Sequence, residues 1–471
     1  MFPLHPDRLL PTHEPERTLA RDLYESVKDL PIISPHGHTD PAWFADNNRF
    51  SDPTSLFITP DHYVLRMFGS QGISYDDLGV PRKDGKAVET DPRKAWRIFA
   101  SHYHLFDGTP SKIWVDHAMQ HVLGVDKELN AQNADVIYDH IMQKLGTPAL
   151  LPRAILENAK VELIATTEFA LDPLVHHQKM VKDGYISRVI TTYRPDDVVN
   201  PDFAGGSPQN ILKFGEITGE DVTTWAGLMN AHRKRREYFR AHGATATDHD
   251  AANAMTADLT PPEKQKLLDT VLKGNFTPQE AELFRAQMLT ELALMSVEDG
   301  MTMQLHIGSK RNTDVGMYQT RGPNMGADIP KTMDCVHGLS ALLNKCGREK
   351  DFRLLVFVLD ETLYARELAP MAGYWPCMMI GPPWWFHDSP QGMRRYLDQC
   401  VETAGFYNLA GFNDDTRALL SIPARHDVWR REACRFLAER VAEHRISKTA
   451  ASEIAHYLCY RATKDAYKLG N

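Results

Sequence analysis

The sequence predicts an α/β fold in which eight strand–helix units close into a (β/α)8 barrel. Two observations lead to this prediction. Short apolar runs, many of them β-branched, alternate along the chain with longer amphipathic stretches of helical periodicity. Strands that alternate with helices form parallel sheets, and eight such units are enough to close a barrel. At 471 residues the chain is long enough for an elaborated barrel.

Each strand is predicted from one apolar run and the turn residues beside it. The eight predicted strands are residues 32–34, 161–166, 188–192, 243–247, 301–305, 354–359, 375–380 and 409–412. The periodicity predicts helices after several of them, over residues 218–240, 280–296, 331–344, 391–404 and 428–444. These are the elements that a parallel barrel needs.

One connection is too long to be a simple helix. Residues 39–160 separate the first two strands and contain three helical patterns, over residues 91–104, 112–123 and 134–145. The first pattern opens with Asp91 and Pro92, an N-cap acid followed by a proline in the first turn. We therefore predict an N-terminal helix and first strand in 1–40, a mostly helical insertion at the active-site mouth in 41–155, and the rest of the barrel in 156–471.

The composition is ordinary for a globular protein and narrows the classes of partner. Hydrophobic residues make up 42%, charged residues 24%, and the net charge of −9 argues against nucleic-acid binding. We find neither the pattern of a signal peptide nor an apolar run long enough to span a membrane. The six cysteines show no Cys-x-x-Cys spacing, as expected of reduced thiols in the cytoplasm. We expect no nucleic-acid or membrane partner, and homo-oligomerisation stays open.

His36 and His38 directly follow the first predicted strand, with Gly37 between them. Alternate side chains of an extended chain point to the same side, so both imidazoles can reach one divalent ion. Asp415 could complete the site, because the first and eighth strands of a closed barrel are neighbours; Asp414 is an equally acidic alternative. Two imidazoles, one carboxylate and an open position are typical of a catalytic Zn²⁺ site. A pair of structural, hydrogen-bonded histidines is the competing interpretation.

Other predicted strands also end in polar groups. Arg417 and Arg194 could each bind a substrate oxygen or carboxylate, or form a structural ion pair. His306 could be a further ligand, a support for a ligand, or a substrate contact. His249 is more easily explained as a structural histidine. Trp384 and the adjacent Trp385 could form an apolar wall under a sugar ring, although core packing is the simpler explanation.

At these positions the chain resembles the uronate isomerase (glucuronate isomerase) family, a divergent branch of the amidohydrolase superfamily. The resemblance spans essentially the whole chain. It rests on residues 35–38 (Pro-His-Gly-His), 61–63, 165–167 with 176–177, 193–196, 241–243 with 248–249, 306–308 with 311–312, 381–386, 415–417, 425–426 and 430–431. Two local departures exist. Asn413 and Asp414 stand where Leu-Thr is expected, and Phe169 and Ala170 follow Glu168 where a second acid is usual.

The resemblance implies a distorted (β/α)8 TIM-type barrel with a helical insertion. It also implies an enzyme of hexuronate catabolism, which reversibly isomerises D-glucuronate to D-fructuronate and D-galacturonate to D-tagaturonate. The implied cofactor is one divalent metal ion, with zinc as the expected metal. The implied ligands are His36, His38 and Asp415; the implied catalytic residues are His62, Tyr63, Asp415 and Arg417; the implied substrate contacts are Arg194, His306, Trp384, Trp385, Arg417 and Arg425.

We expect the hydrogen to move from C2 to C1 as a proton, through a cis-enediol. Tyr63, His62 and Asp415 are all candidates for the group that carries it. A metal-dependent hydrolase is a competing hypothesis, but the sixth predicted strand ends in Leu359, Asp360 and Glu361, without the histidine such enzymes use. A non-catalytic sugar-acid binding protein would explain the arginines and tryptophans, but not the metal-binding pattern.

Overall fold

A curled, all-parallel sheet forms the centre of the protein. The structure is a computed structural model and describes residues 2–202 and 207–470, except for the side chain of Ser207. Its strands are β1 (Ile32–Ser34), β2 (Val161–Phe169), β3 (Val189–Arg194), β4 (Ala246–Ala251), β5 (Thr302–Ile307), β6 (Ser309–Lys310), β7 (Ile329–Pro330), β8 (Leu354–Val358) and β9 (Met378–Ile380). The main sheet has the order β1-β2-β3-β4-β5-β8-β9, and β6 and β7 pair separately as an antiparallel ribbon. The α/β barrel class is confirmed.

The prediction of a regular eighth strand over residues 409–412 is wrong. This segment joins the sheet by a single bridge, between Leu409 and Ile380. Gly411 has a φ of 78°, outside the strand region, and a Cβ there would lie 2.4 Å from Oγ1 of Thr463. That hydroxyl donates to the carbonyl of Phe412 and accepts from its amide. A side chain of the last helix therefore provides hydrogen bonds that a strand would take from its neighbour.

Several predicted strands have the wrong ends. Strands β2, β4 and β5 continue to Phe169, Ala251 and Ile307, beyond the predicted ends at 166, 247 and 305, while β3 runs to Arg194 rather than 192. The reason is that backbone ladders continue through polar residues, whereas the predicted ends stopped where the apolar run stopped. Strands β4 and β9 also begin later than predicted, at Ala246 and Met378.

Helices surround the sheet and fill the long connection between β1 and β2. Their bounds are Glu14–Val27, Pro41–Asp46, Pro53–Phe57, His62–Ser70, Pro92–Ser101, Pro110–His117, Ala134–Leu145, Pro152–Asn158, Val175–Lys182, Asp196–Val199, Ser207–Thr218, Trp225–Ala241, Pro261–Leu272, Pro278–Asp299, Val315–Arg321, Cys335–Gly338, Ser340–Cys346, Ala369–Ala372, Pro390–Ala404, Ile422–Ala442, Lys448–His456 and Ala462–Ala466. Short 3₁₀ and π turns occupy Tyr103–Phe106, Ala118–Val122, Pro148–Leu150, Tyr364–Leu368, Phe406–Asn408, Leu419–Ser421 and Tyr457–Arg461.

One helix cap was recognised in the sequence, and several helices begin or end at residues other than the predicted ones. Asp91 caps its helix by accepting a hydrogen bond from the amide of Arg93, as predicted. The helix predicted over 331–344 is instead two short helices, Cys335–Gly338 and Ser340–Cys346. The helix predicted from residue 218 begins only at Trp225, after its cap Thr224. The helix predicted from residue 428 begins at Ile422.

The two faces of the strands belong to different parts of the core. On β8, Leu354, Val356 and Val358 pack toward the surrounding helices, while Leu355 and Phe357 belong to a smaller apolar cluster inside the barrel. This inner cluster contains residues from β1, β2, β4 and β9 as well. Below the strand ends the barrel is thus a packed core, which leaves the strand ends as the place for a site.

Candidate active site

His36, His38 and Asp415 converge at the end of β1. Asp415 Oδ1 lies 3.5 Å from His36 Nε2 and 3.3 Å from His38 Nε2. The His38 amide donates to the carbonyl of Thr416 at 3.0 Å, which joins the segment after β1 to the segment that carries the carboxylate. Asp415 itself has a φ of 39°, in the left-handed region that L-residues rarely adopt. The backbone is thus strained at the residue whose carboxylate faces both imidazoles.

The chemistry of this group fits a divalent metal ion. The three potential ligand atoms lie within 4.8 Å of one another, and Oδ1 of Asp415 is buried without a hydrogen-bond partner in the described residues. Burial lowers the pKa of His36 to about 4, so its imidazole is neutral at neutral pH. Burial opposes ionisation of Asp415, but His36 and His38 hold its pKa below the ordinary value. Neutral imidazoles and an ionised carboxylate are the donors that such an ion requires.

Asp414, the alternative acid, points elsewhere. Its Oδ2 lies 3.1 Å from Nε2 of His426, on the helix Ile422–Ala442. Its backbone carbonyl accepts from Arg425. The geometry therefore places Asp415, rather than Asp414, opposite the two histidines.

His306 stands beside this group, at the end of β5. Its Nδ1 lies 2.6 Å from Oδ1 of Asp248, within β4, and its ring stacks on His36 with a centroid separation of 4.6 Å. Its Nε2 is buried without a partner in the described residues. His36, Asp248 and His306 form a second group whose ligand atoms lie within 4.8 Å of one another. His249, by contrast, is buried on the outer side of β4 and bonds Oγ1 of Thr247 at 2.9 Å.

A cavity that is open to solvent lies over these residues. Ten of the eleven predicted site residues line it: His36, His38, His62, Tyr63, Arg194, His306, Trp384, Trp385, Asp415 and Arg417. The exception is Arg425, which lies behind the wall. Its Nη1 donates to Oδ2 of Asp388 at 2.5 Å, and its guanidinium stacks on Trp114 at 3.5 Å.

The arginines of the cavity differ in their partners. Arg194 is surrounded by three carboxylates, those of Asp196 at 2.6 Å, Asp248 at 3.2 Å and Asp250 at 3.2 Å. Arg417, in contrast, forms no ion pair within the described residues; its Nη2 donates to the neutral amide oxygen of Asn324 at 3.1 Å. Burial lowers the pKa of Arg417 from its ordinary value, but an arginine remains protonated at neutral pH. Arg417 is therefore a buried cation still able to bind an anion.

His62 and Tyr63 reach the cavity from the insertion, at the start of the helix His62–Ser70. Asp61 places them by capping this helix, accepting from the amide of Tyr63 at 2.8 Å. Burial and the positive charges of Arg417, Arg425 and Arg311 lower the pKa of His62 to about 3. Burial and the carboxylate of Asp388 raise the pKa of Tyr63 well above its ordinary value, and its hydroxyl donates to that carboxylate at 2.8 Å. At neutral pH both side chains are uncharged.

The tryptophans form the apolar side of the cavity. The Trp384 ring packs edge-to-face on His306 with a centroid separation of 4.7 Å, and Trp385 packs in the same way on His62 at 4.9 Å. Arg311 lies over the Trp385 ring at 5.2 Å. These contacts connect the apolar wall to both histidines.

Five polar residues of the lining were not considered as site residues: Asp248, Arg311, Asn324, Asp388 and Asn413. Asp414, named as the alternative ligand, lines the cavity as well. Asp248 directly follows Thr247, where the predicted fourth strand stopped too early. Arg311 and Asn324 belong to the connection after β5, which has no pattern that would place it over the cavity. Asp388 follows the two tryptophans, but nothing in the sequence shows that it binds Tyr63 and Arg425.

A parallel α/β barrel with a His-x-His pair after its first strand and an aspartate after its last belongs to the class of TIM-barrel proteins with a candidate metal site at the strand ends. The sequence model of the glucuronate isomerase family matches residues 12–467, so the chain belongs to that family. Uronate isomerases from Xanthomonas axonopodis pv. citri (strain 306) and Phenylobacterium zucineum (strain HLK1) are 55% and 53% identical to it, over 99% of this chain and 98% and 97% of theirs.

Solved structures agree with this assignment. The crystal structure of glucuronate isomerase from Caulobacter crescentus has a TM-score of 0.97 at 50% identity, covering 99% of this chain and 97% of its own. The crystal structure of uronate isomerase from Thermotoga maritima has a TM-score of 0.91 at 29% identity, covering 99% and 100%. The family resemblance found in the sequence is confirmed. In the described part of the chain, no helix is both long enough and apolar enough to cross a membrane.

Proposed function

We propose that the cavity isomerises hexuronates, converting D-glucuronate to D-fructuronate and D-galacturonate to D-tagaturonate. One observation supports this most directly. The same cavity holds a cation without a carboxylate partner, Arg417, and a group of proton-transferring and metal-binding side chains, His36, His38 and Asp415. A hexuronate has a carboxylate at one end and its reacting C1 and C2 carbons at the other, so it needs both.

The substrate carboxylate is assigned to Arg417. A guanidinium can bind a carboxylate through two parallel hydrogen bonds, and burial strengthens the attraction. Arg194 is less suited to this role, because its three aspartates already neutralise it. Arg194 instead holds Asp248, which in turn fixes the tautomer and orientation of His306. This changes the role first assigned to Arg194, from substrate contact to support.

The metal site is assigned to His36, His38 and Asp415, with zinc as the proposed ion. A bound divalent ion would supply Lewis-acid polarisation of the substrate oxygens. Ligand atoms about 2.1 Å from an ion at a nearly tetrahedral angle are roughly 3.4 Å apart. The separations of 3.3 and 3.5 Å between Asp415 and the imidazoles are compatible with that arrangement.

Among the three candidates for the base, the electrostatics favour Asp415. Tyr63 keeps its proton, because burial and Asp388 raise its pKa. His62 has a free electron pair, but a proton taken up there would add a further positive charge beside Arg417, Arg425 and Arg311. Asp415 is the one anion of the three at neutral pH. We assign to Asp415 the removal of the proton from C2 and its return to C1. Tyr63 is assigned the donation of a hydrogen bond to an enediol oxygen, for which its hydroxyl turns from Asp388 to the substrate.

The test is isomerisation of D-glucuronate in D₂O, with the ketose analysed by NMR. The proposal expects ketose with deuterium at C1, at least in part. If no ketose forms from either hexuronate with the metal-loaded protein, the proposed function is refuted. If ketose forms but the original C2 hydrogen is retained over many turnovers, the proton-transfer mechanism is rejected while the activity stands.

We further propose that the enzyme acts in hexuronate catabolism in the cytoplasm. The six cysteines support this location, since all are unpaired and buried, as expected in a reducing compartment. Separation of cell fractions followed by the isomerase assay tests it; activity confined to the periplasmic fraction would contradict it.

A further inference from the structure

The connection after β5 carries a turn that closes one side of the cavity. It runs from the ribbon strand β6 through the helix Val315–Arg321 to the ribbon strand β7. Asn324, in the turn between that helix and β7, lines the cavity and has a φ of 66°. Its Oδ1 accepts the hydrogen bond from Arg417. The orientation of the unpaired guanidinium thus depends on where this turn lies.

The turn is seated on the same helix that carries His62 and Tyr63. A Cβ on Gly326 would lie 2.5 Å from Cβ of Arg66 and 2.9 Å from the carbonyl of His62, so the two backbones touch and no larger residue fits. Tyr75, which is buried, places its hydroxyl 2.7 Å from the carbonyl of Leu65 and 3.0 Å from the carbonyl of Met325. The one proton of this hydroxyl is therefore shared between a carbonyl of the helix and the carbonyl of the residue next to Asn324.

A second group of contacts fastens the preceding helix. Arg321 donates to the carbonyl of Val80 and pairs with Asp76, and its side chain is only 4% exposed. The amide of Lys83 donates to the carbonyl of Thr320 at 2.7 Å. The segment 320–326 is therefore attached at both ends to residues 62–83 of the insertion.

We propose that Tyr75 and Asn324 are positioning residues that hold Arg417 in place for the substrate carboxylate. This inference rests on the proposed function. Tyr75 acts indirectly, by holding the carbonyl of Met325 in place. Asn324 acts directly, by accepting a hydrogen bond from the guanidinium of Arg417. Neither residue takes part in proton transfer, so their loss weakens binding of the uronate more than it slows turnover.

The experiment compares Tyr75→Phe, Asn324→Ala and the double variant in the metal-loaded enzyme. One hydrogen bond to a charged group contributes about 1.5–3 kcal/mol, or roughly 10- to 150-fold. We expect Asn324→Ala to raise the KM for D-glucuronate within that range, and Tyr75→Phe to raise it about 3- to 10-fold, with kcat changed less than about 3-fold. Because both act through one contact, the double variant should be less impaired than the product of the single effects.

Tyr238→Phe is the matched control, because its hydroxyl also donates to a backbone carbonyl, that of Pro173 at 2.7 Å, outside the cavity lining. Its kinetics should equal those of the wild type. Equal falls in kcat and unchanged KM in the Tyr75 and Asn324 variants would overturn the inference, as would effects that multiply in the double variant. A wild-type enzyme that isomerises no hexuronate would instead refute the proposed function. Thermal unfolding of each variant separates a local effect from a loss of folded protein.

Discussion

Replacing Arg417 by methionine removes the cavity arginine that has no carboxylate partner among the described residues, and leaves an unbranched, uncharged side chain in its place. Its partner in the described residues is the neutral amide of Asn324, so the substitution leaves no carboxylate unpaired. We therefore expect a small effect on the free energy of unfolding and a large effect on binding of the uronate.

The size of the binding effect follows from the geometry. Two unit charges about 4 Å apart attract by about 4 kcal/mol at an effective dielectric constant near 20. The cost of removing water from both groups reduces this, so we expect a net loss of about 2–3 kcal/mol, close to that of a hydrogen bond to a charged group. This corresponds to a fall in kcat/KM for D-glucuronate of roughly 30- to 150-fold.

A pair of inhibitors that differ only in charge makes the test specific. L-gulonate, which is D-glucuronate with its aldehyde reduced, keeps the carboxylate, and D-glucitol has a hydroxymethyl group in its place. The inhibition constant of L-gulonate should rise by about the same factor as kcat/KM falls, while that of D-glucitol should change less than about 2-fold. Arg233→Met, which removes an exposed arginine paired with Glu298, is the control. Equal weakening of both inhibitors by Arg417→Met would refute the assignment of the carboxylate.

Three further outcomes are expected. Asp415→Asn should abolish isomerisation and lower the bound metal measured by atomic emission, with an unchanged circular dichroism spectrum; near-normal turnover would contradict its role. Arg194→Met should lower the melting temperature more than Arg417→Met, since it leaves three aspartates facing one another. Burial raises the pKa of Glu168 to about 8. Its contribution to stability is therefore complete below about pH 4.5 and is lost as the pH rises to 8. In Glu168→Gln, chemical denaturation should show a smaller loss of stability over that interval, and parallel pH profiles of the variant and the wild type would contradict this.

The barrel could be predicted because its strands are local patterns of apolar residues. The absence of a regular eighth strand could not be predicted in this way, because residues 409–412 have a strand-like composition. They form a single bridge to the sheet because the segment makes hydrogen bonds with Thr463 instead. Nothing in a local pattern shows that a distant hydroxyl will take the place of a neighbouring strand.

The candidate site could likewise be predicted where it depends on the order of the strands, and not where it depends on contacts between distant residues. His36, His38 and Asp415 follow predicted strands, and the order of strands in a barrel brings them together. Only the structure distinguishes Asp415 from Asp414 as the residue opposite the histidines, because Asp414 contacts His426 in the next helix. The difference between Arg194 and Arg417 also depends on partners that are distant in the sequence, namely three aspartates for one and Asn324 for the other.

The hydrogen bonds between Thr463 and Phe412 have a consequence for how the chain is made. The carboxylate of Asp415 lies three residues beyond Phe412, on the segment that these bonds hold in place. Proteins fold progressively as they leave the ribosome, N-terminal parts first. The histidines are translated more than 370 residues before the carboxylate they face, and the segment bearing that carboxylate gains its last support only when residue 463 has emerged. The candidate metal site is therefore among the last features of the molecule to be completed.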